Sequence, residues 1–334
     1  MDKSNKNCKD IEFLKDLVNN SYSWYWLPNT FTVFKSLNNI FILIYSTQYK
    51  SIISYDIIHN LKINEIKDAH KKYICYFKHF LDLINKRDLI LSLSSDDNNI
   101  KIWNNNNYEC LIDIKNVNIT GYLNSACFLK YNNQIYIISS NASNDYKIKS
   151  EPIKVFDLKG NKIKEINESN EKTFFIDSYY DIELSKYFII ICTDNYSKSF
   201  DYDQNKKYQE YCDNSGSSDI IINKKEEKTE LIESNTDGNI RIWDFHSGAL
   251  LRKIKVSDDM LKEICLWDNE YLFVACCDKE IKLIEYNNGK IIKKLKGHKD
   301  KVLSIKKIFH YQYGECLLSQ SCESNPIKLW VITN

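Results

Sequence analysis

Glycine and proline, the residues that most often mark turns, are scarce in this chain. Its 334 residues include only 8 Gly and 3 Pro, so its turns depend mainly on other residues. Asn and Asp tolerate left-handed backbone conformations and hydrogen-bond to their own backbone. The run Asn104–Asn107 is typical of such a turn. We therefore predict that Asn and Asp form most of the turns.

The sequence also lacks the cysteine patterns of metal sites. It has 11 Cys, but none forms a C-x-x-C pair and none has a His at zinc-ligand spacing. We expect free, buried cysteines, since Cys packs as a small hydrophobic residue, and we predict no metal and no cofactor. No secretory signal is recognisable, and no stretch approaches the ~20 apolar residues of a membrane span. The expected location is the cytoplasm, with the nucleus as the alternative.

A strong net charge and the common catalytic motifs are absent as well. With 46 basic and 45 acidic residues the formal net charge is +1, which gives no support to direct nucleic-acid binding. The sequence contains no Gly-rich phosphate loop, no G-x-S-x-G elbow and no H-E-x-x-H helix. We therefore predict no catalytic residues.

What the chain does contain is a repeated five-residue pattern that ends in an aromatic residue. Clear copies are Asn99–Trp103, Pro152–Phe156, Asn239–Trp243 and Pro326–Trp330, and weaker ones end at Tyr55, Phe200 and Ile284. The intervals between these ends run from 41 to 53 residues. A period of this size indicates an array of structural repeats.

One repeat, residues 219–256, contains four short strand patterns separated by turns. Its third strand, Ile240–Asp244, alternates apolar and polar residues, and the Asp237-Gly238 pair before it is a strong hairpin signal. A single four-stranded antiparallel sheet cannot bury both of its faces, so it has to stack on copies of itself. The seven pattern ends predict an all-β fold of seven such sheets.

The stretch Asp237–Asp244 resembles the WD-repeat family of β-propellers, and so does the pair Gly297-His298, which precedes Trp330. The resemblance covers roughly residues 22–334 and implies a seven-bladed propeller of four-stranded antiparallel blades. It also implies structural hydrogen bonding that links a His and a turn Asp to the strand-end Trp. The positions that match this pattern are His70, Asp97 and Trp103, then Asp237 and Trp243, and finally His298 and Trp330.

The last repeat stops soon after Trp330 and needs a fourth strand from elsewhere, since a bare sheet edge promotes aggregation. We predict that Tyr22–Leu27 pairs with the strand containing Trp330 and closes the ring. Apolar residues Ile11, Leu14 and Leu17 have helical spacing, which favours a short helix within residues 9–19. The alternative is that residues 9–19 are the closing strand. The expected division is an N-terminal extension, residues 1–21, and a propeller, residues 22–334.

Function in such a ring is expected on the rim around the central channel. Candidate partner-binding residues are Lys71, Lys72, Tyr179, Tyr180, Lys299, Asp300 and Lys301, because aromatic and cationic side chains often anchor interfaces. The principal hypothesis is a non-catalytic scaffold that binds a protein or peptide partner, within a multisubunit complex. Nucleic acid would be reached only through such a complex.

Two other functions are alternatives to the scaffold. Some WD-repeat substrate receptors of cullin-type ubiquitin ligases carry Trp-Asp-x-Arg at a strand end, and this chain has Trp243-Asp-Phe-His246. A propeller enzyme would need carboxylates or a metal cluster converging on the channel.

Overall fold

The computed structural model describes residues 11–19, 21–22, 28–48, 50–94, 96, 98–118, 125–140, 151–166, 173–322 and 325–332. Within these ranges the chain forms 28 β-strands in seven four-stranded antiparallel sheets, and no helix. We number the sheets as blades along the chain. Each of blades 1 to 6 consists of four consecutive strands, whereas blade 7 combines the last three strands with the first.

Blade 1 contains β2 (Phe31–Lys35), β3 (Phe41–Ser46), β4 (Ile52–Asp56) and β5 (Leu61–Ile66), and blade 2 contains β6 (Tyr76–Asp82), β7 (Arg87–Ser94), β8 (Asn99–Asn104) and β9 (Glu109–Ile114). Blade 3 contains β10 (Ala126–Tyr131), β11 (Gln134–Ser139), β12 (Ile153–Asp157) and β13 (Lys162–Ile166). Blade 4 contains β14 (Phe175–Asp181), β15 (Lys186–Cys192), β16 (Tyr196–Asp201) and β17 (Lys206–Cys212). Blade 5 contains β18 (Ser217–Lys224), β19 (Thr229–Asn235), β20 (Asn239–Asp244) and β21 (Leu250–Lys255). Blade 6 contains β22 (Leu261–Leu266), β23 (Tyr271–Cys276), β24 (Ile281–Glu285) and β25 (Ile291–Leu295). Blade 7 contains β26 (Val302–His310), β27 (Gly314–Ser321), β28 (Ile327–Ile332) and β1 (Ile11–Val18).

The first strands of the blades form a closed inner ring. Each contacts the first strand of the next blade, and β26 of blade 7 contacts β2 of blade 1. The seven-bladed propeller is therefore confirmed. Burial is highest in the middle of a blade and low in its outer strand: every residue of β19, the second strand of blade 5, is buried, whereas β5, the outer strand of blade 1, is exposed or half-buried. The apolar clusters lie between adjacent blades, so each sheet is covered by its neighbours.

A belt of hydrogen bonds ties neighbouring inner strands together on the side of the channel. At each of four junctions a polar side chain of one blade accepts the backbone N–H of the next blade. The bonds are Ile176 N to Ser125 Oγ (3.2 Å), Ile264 N to Asp219 Oδ2 (3.0 Å), Ile305 N to Glu263 Oε2 (3.1 Å) and Thr30 N to Ser304 Oγ (2.9 Å). The last of these bonds joins blade 7 to blade 1.

Strand β1 closes the ring by pairing antiparallel with β28, and Phe13 lies opposite Trp330. The helix predicted within residues 9–19 is therefore wrong, and the alternative of a closing strand is confirmed. The predicted pairing of Tyr22–Leu27 with the Trp330 strand is also wrong. Tyr22 instead exchanges hydrogen bonds with Ser46 at the end of β3, and residues 23–27 lie outside the described residues. The domain boundary at residue 22 stays a prediction, although β1, on its N-terminal side, is part of blade 7.

Asparagine has the turn-forming role predicted from the scarcity of glycine. Nine of the fifteen described non-glycine residues with positive φ are Asn. Glycine is required at a turn where φ is positive and the surrounding atoms also leave no room for a side chain. At Gly238, with φ of 79°, an added Cβ would lie 2.0 Å from the carbonyl oxygen of Ser257, so any side chain there would force the Asp237-Gly238 turn to move.

The ten described cysteines are all free, as predicted. Seven of them are buried, Cys265 is half-buried, and Cys110 and Cys212 are exposed, so burial was predicted correctly for seven of the ten.

Two leucines of the closing strand β1 differ in burial, so truncating each of them tests how β1 packs in blade 7. Leu17 is 8% exposed and packs with Phe31 and Ile327, whereas Leu14 on the same strand is 38% exposed. Because truncating a buried Leu removes apolar contacts and leaves a cavity, Leu17→Ala is expected to lower the free energy of unfolding by about 2–4 kcal/mol. Leu14→Ala should cost less than about 1 kcal/mol. Urea denaturation measures both, and equal losses would contradict the packing of β1 in blade 7.

Candidate functional site

Two blades contain a buried His–Ser–Trp hydrogen-bond chain. In blade 2, Ser92 Oγ accepts the indole proton of Trp103 (2.8 Å) and is hydrogen-bonded to Nε2 of His70 (2.8 Å). In blade 7, Ser319 is bonded in the same way to Trp330 (2.7 Å) and to His298 (2.7 Å).

The two serines were missed from the sequence. Each lies 11 residues before its Trp, and this shared spacing is the signal that could have found them. Asp97, the predicted third member in blade 2, lies outside the described residues.

The environment of both histidines keeps them neutral. Burial, reinforced by the nearby cations Lys101 and Lys328, lowers the pKa of His70 and of His298 to about 3. A neutral imidazole can accept a hydrogen bond from a serine hydroxyl, and it adds no charge to the apolar interior. This arrangement supports a structural role for both histidines.

Blade 5 uses charged residues at the corresponding positions. Glu233 replaces the serine and accepts the indole proton of Trp243 (2.8 Å). Asp237 is paired with Arg241 through two hydrogen bonds (3.0 and 2.7 Å). Burial opposes ionisation of Asp237, but the hydrogen bonds from Arg241 and Asn239 outweigh it, so its pKa lies well below the ordinary value.

The candidate partner-binding residues divide between the two faces of the ring. Lys71 and Lys72 precede β6, and residues 299–301 precede β26, so they lie where inner strands begin. Tyr179 and Tyr180 lie at the other end of an inner strand, β14. Lys71, Lys72 and Lys299 are exposed, whereas Asp300 and Lys301 are half-buried. The structure therefore does not bring the predicted set together.

The face on which Tyr180 lies is formed by the hairpins that join the first and second strands of each blade, and we call it the hairpin face. An arc of exposed apolar side chains, the apolar arc, covers its blades 7, 1, 2 and 4. Its members and their exposed fractions are Phe309 (55%), Tyr311 (69%), Leu37 (39%), Leu83 (64%), Ile84 (59%), Tyr180 (45%), Ile182 (67%) and Leu184 (44%). Sequence reasoning found only Tyr180 of this set.

Buried aspartates hold two of these hairpins in fixed turns. Asp82 Oδ1 accepts the backbone N–H of Asn85 (3.1 Å), so Leu83 and Ile84 project from a closed turn. Asp181 Oδ1 does the same for Glu183 (2.9 Å) and Leu184 (3.0 Å). Side chains on such preorganised turns lose little backbone entropy when a partner binds.

Besides a groove of about 530 Å³ lined by charged residues of the blade 5 hairpin, such as Lys225 and Glu227, two apolar grooves open on the hairpin face. The first groove, of about 230 Å³, is lined by aromatic residues of blades 2 to 4, among them Phe80, Phe128 and Tyr180. The second groove, of about 260 Å³, lies between blades 7 and 1 beside Phe34, Phe41 and Phe309. Each is smaller than the ~300–1,000 Å³ of a typical small-molecule site, so each suits one or two side chains of a partner.

Comparison with known proteins agrees with this geometry. A stretch of 74 residues, 22% of the chain, is 28% identical to the U3 small nucleolar RNA-associated protein 21 homolog of Schizosaccharomyces pombe. A stretch of 103 residues, 30% of the chain, is 28% identical to the WD repeat domain-containing protein 83 homolog of Dictyostelium discoideum. The chain is a WD-repeat β-propeller. The matches span only 8% and 30% of these relatives' own lengths, and no family model matches.

His246 occupies the position that is Arg in WD-repeat receptors of cullin-type ligases. In this WD-repeat propeller its ring is held against blade 4, with Nδ1 at 3.2 Å from the hydroxyl of Tyr208 and Nε2 at 3.5 Å from Asp181 Oδ2. The half-buried His246 side chain is therefore engaged by residues of blade 4.

Among the described side chains, no group of three or more His, Cys, Asp or Glu residues is placed to hold a metal ion. In the described part of the chain, no helix has the length and apolar character needed to cross a membrane.

A serine pair in β7 tests the His–Ser–Trp chain. Ser92→Ala leaves the buried Trp103 N–H and His70 Nε2 without their partner, so it is expected to lower the free energy of unfolding by about 2–4 kcal/mol. Ser94 is equally buried, but its hydroxyl makes no hydrogen bond with the described residues, so Ser94→Ala should cost less than about 1 kcal/mol. Chemical denaturation of both variants compares them, and similar losses would refute a role for Ser92 in the chain.

Acid should weaken the contribution of His298 to stability. Its folded-state pKa of about 3 lies below the ordinary 6.5, so between these values the unfolded chain binds the extra proton. The stabilising contribution is complete above pH 6.5 and falls by up to about 1.4 kcal/mol per pH unit below it. The stability gap between wild type and His298→Gln should therefore shrink as the pH is lowered from 7 to 5.

This comparison with a variant is needed because burial and the nearby Glu263 raise the pKa of Asp219, and a raised carboxyl pKa gives a slope of the opposite sign. Denaturation at several pH values measures the gap, and a gap that stays constant would contradict the neutral, buried state of His298.

Proposed function

We propose that this WD-repeat propeller is a non-catalytic scaffold that binds a protein or peptide partner through its hairpin face. The observation that carries the proposal is the apolar arc, where side chains such as Ile84 and Ile182 are more than half exposed. Several large apolar side chains exposed on one face of a protein are typical of interaction sites. The WD-repeat relatives support a role in protein interaction in general terms.

The preorganised turns and the grooves support the same proposal. Aromatic and large aliphatic side chains that fill small pockets contribute most of the binding energy in many interfaces. Here the turns closed by Asp82 and Asp181 present such side chains, and the first and second grooves can receive those of a partner. Lys71, Lys72 and residues 299–301, on the opposite face, stay candidates for a second contact.

The location of the scaffold is part of the proposal. The cytoplasm was expected from the cysteine usage, with the nucleus as the alternative. The name of the Schizosaccharomyces pombe relative refers to a small nucleolar RNA, which favours the nuclear alternative and membership of a larger complex.

Affinity purification from native cells with quantitative mass spectrometry tests the proposal. Ile84→Asp combined with Ile182→Asp places two charges in the apolar arc and should abolish recovery of stoichiometric partners, because each charge would have to be desolvated at the interface. The matched control combines Ile63→Asp and Ile163→Asp on outer strands, where the side chains are 41% and 48% exposed. It should retain the partners.

Two outcomes would count against this function. Partners that bind the arc variant as well as wild type would place the interaction elsewhere, and a protein isolated alone would remove the scaffold role. Cullin adaptors among the partners would favour the ubiquitin-ligase alternative.

A further inference from the structure

We propose that the hairpin face binds an acidic peptide segment with at least two large apolar anchor residues. This inference rests on the proposed scaffold function and specifies the chemistry of its partner. It follows from the charges that surround the apolar arc and from the size of the two grooves.

Three lysines stand beside the apolar arc on blades 1 to 3. Lys35 lines the second groove, Lys86 follows Leu83 and Ile84 in the same turn, and Lys130 lines the first groove. All three are exposed, and none forms an ion pair with the described residues. Each therefore offers an uncompensated positive charge next to an apolar anchor point.

Four acidic residues of the same region are buried or ion-paired. Asp82 is buried and paired with Arg87 (2.8 Å), and Asp88 is buried beside His79 (2.8 Å), whose pKa is lowered by burial, so this imidazole is neutral. The exposed Glu183 and Glu315 form ion pairs with Lys224 (3.2 Å) and Lys307 (2.6 Å). The three lysines are consequently exposed positive charges beside the arc, unpaired among the described residues, although the formal net charge of the whole chain is only +1. A complementary partner carries negative charge.

Groove size indicates a polypeptide. Two separate grooves of about 230 and 260 Å³ match individual side chains that are spaced along a chain, as in other peptide-binding domains. The hairpin of blade 5, with Lys225, Glu226, Glu227 and Lys228, mixes both signs of charge. The favourable path for the peptide therefore runs over blades 7 to 4, along the apolar arc.

The test uses the full chain and a displayed library of random 12-residue peptides. Peptides selected by the wild-type protein should be enriched in Asp and Glu and contain at least two Leu, Ile, Phe, Tyr or Trp residues. A selected peptide is then synthesised, and its affinity is measured for wild type and for two triple variants.

Lys35→Glu, Lys86→Glu and Lys130→Glu together should weaken binding by roughly tenfold or more, since three attractive contacts become repulsive. The control, Lys71→Glu, Lys72→Glu and Lys299→Glu, makes the same change of charge on the opposite face and should alter affinity less than about twofold. Added salt should weaken binding to wild type, where it screens attraction, and strengthen the residual binding of the Lys35, Lys86 and Lys130 variant, where it screens repulsion.

Selection of neutral or basic peptides, failure to select any peptide, or equal losses in both triple variants would overturn the inference. Competition by a 12-nucleotide oligouridylate RNA for the hairpin face would indicate nucleic acid instead, and a dimer that occludes this face in light scattering would indicate a second copy. A native partner that is lost with the Ile84 and Ile182 variant but retained by the Lys35, Lys86 and Lys130 variant would leave the scaffold function intact and reject only the acidic peptide.

Discussion

The whole ring depends on one antiparallel pairing, between β1 and β28. Each sheet has two apolar faces, and each face is buried only against the next blade, so an opening at any junction exposes apolar surface on both sides. The junction between blades 7 and 1 is special because blade 7 is completed by a strand from the other end of the described chain. The Thr30–Ser304 hydrogen bond and the apolar cluster containing Leu17 and Phe31 seal it from the inside and from the side.

Because the inner strands and the hairpin turns are rigid, the apolar side chains of the arc stay exposed to solvent. The channel-side belt, the His–Ser–Trp chains and the Asp-capped turns satisfy polar groups with partners in the protein, so the hairpins keep one conformation without help from a ligand. A flexible loop bearing Ile84 or Ile182 would be free to fold its side chains back onto the protein. On a fixed turn they remain in solvent, available to a partner, and the two faces of the ring acquire different chemistry.

Patterns that recur along the whole chain could be predicted from the sequence, whereas short or interrupted patterns could not. The seven pattern ends from Tyr55 to Trp330 recur at intervals of 41 to 53 residues, so the number of blades could be predicted from them. Strand β1 was first predicted as a helix because β-bulges at Phe13/Lys15 and Asp16/Val18 interrupt its alternation. The helical spacing was that of Ile11, Leu14 and Leu17, but Leu14 is 38% exposed, and the shifts of register leave the consecutive residues Leu17 and Val18 both buried. Ser92 and Ser319 carry no motif of their own. The apolar arc consists of isolated turn residues in four blades, and only the closed topology brings them to one surface.

Ring closure also has a consequence for biosynthesis. Asp16 and Lys328, which are ion-paired across β1 and β28, are 312 residues apart in sequence. A ribosome therefore delivers β1 before blades 1 to 6 and its partner β28 only after them. Because synthesis proceeds at ≈ 5–20 residues per second, β1 remains without its hydrogen-bonding partner for on the order of tens of seconds. A nascent-chain chaperone that shields Ile11–Val18 during that interval would protect the polypeptide from pairing with the wrong edge.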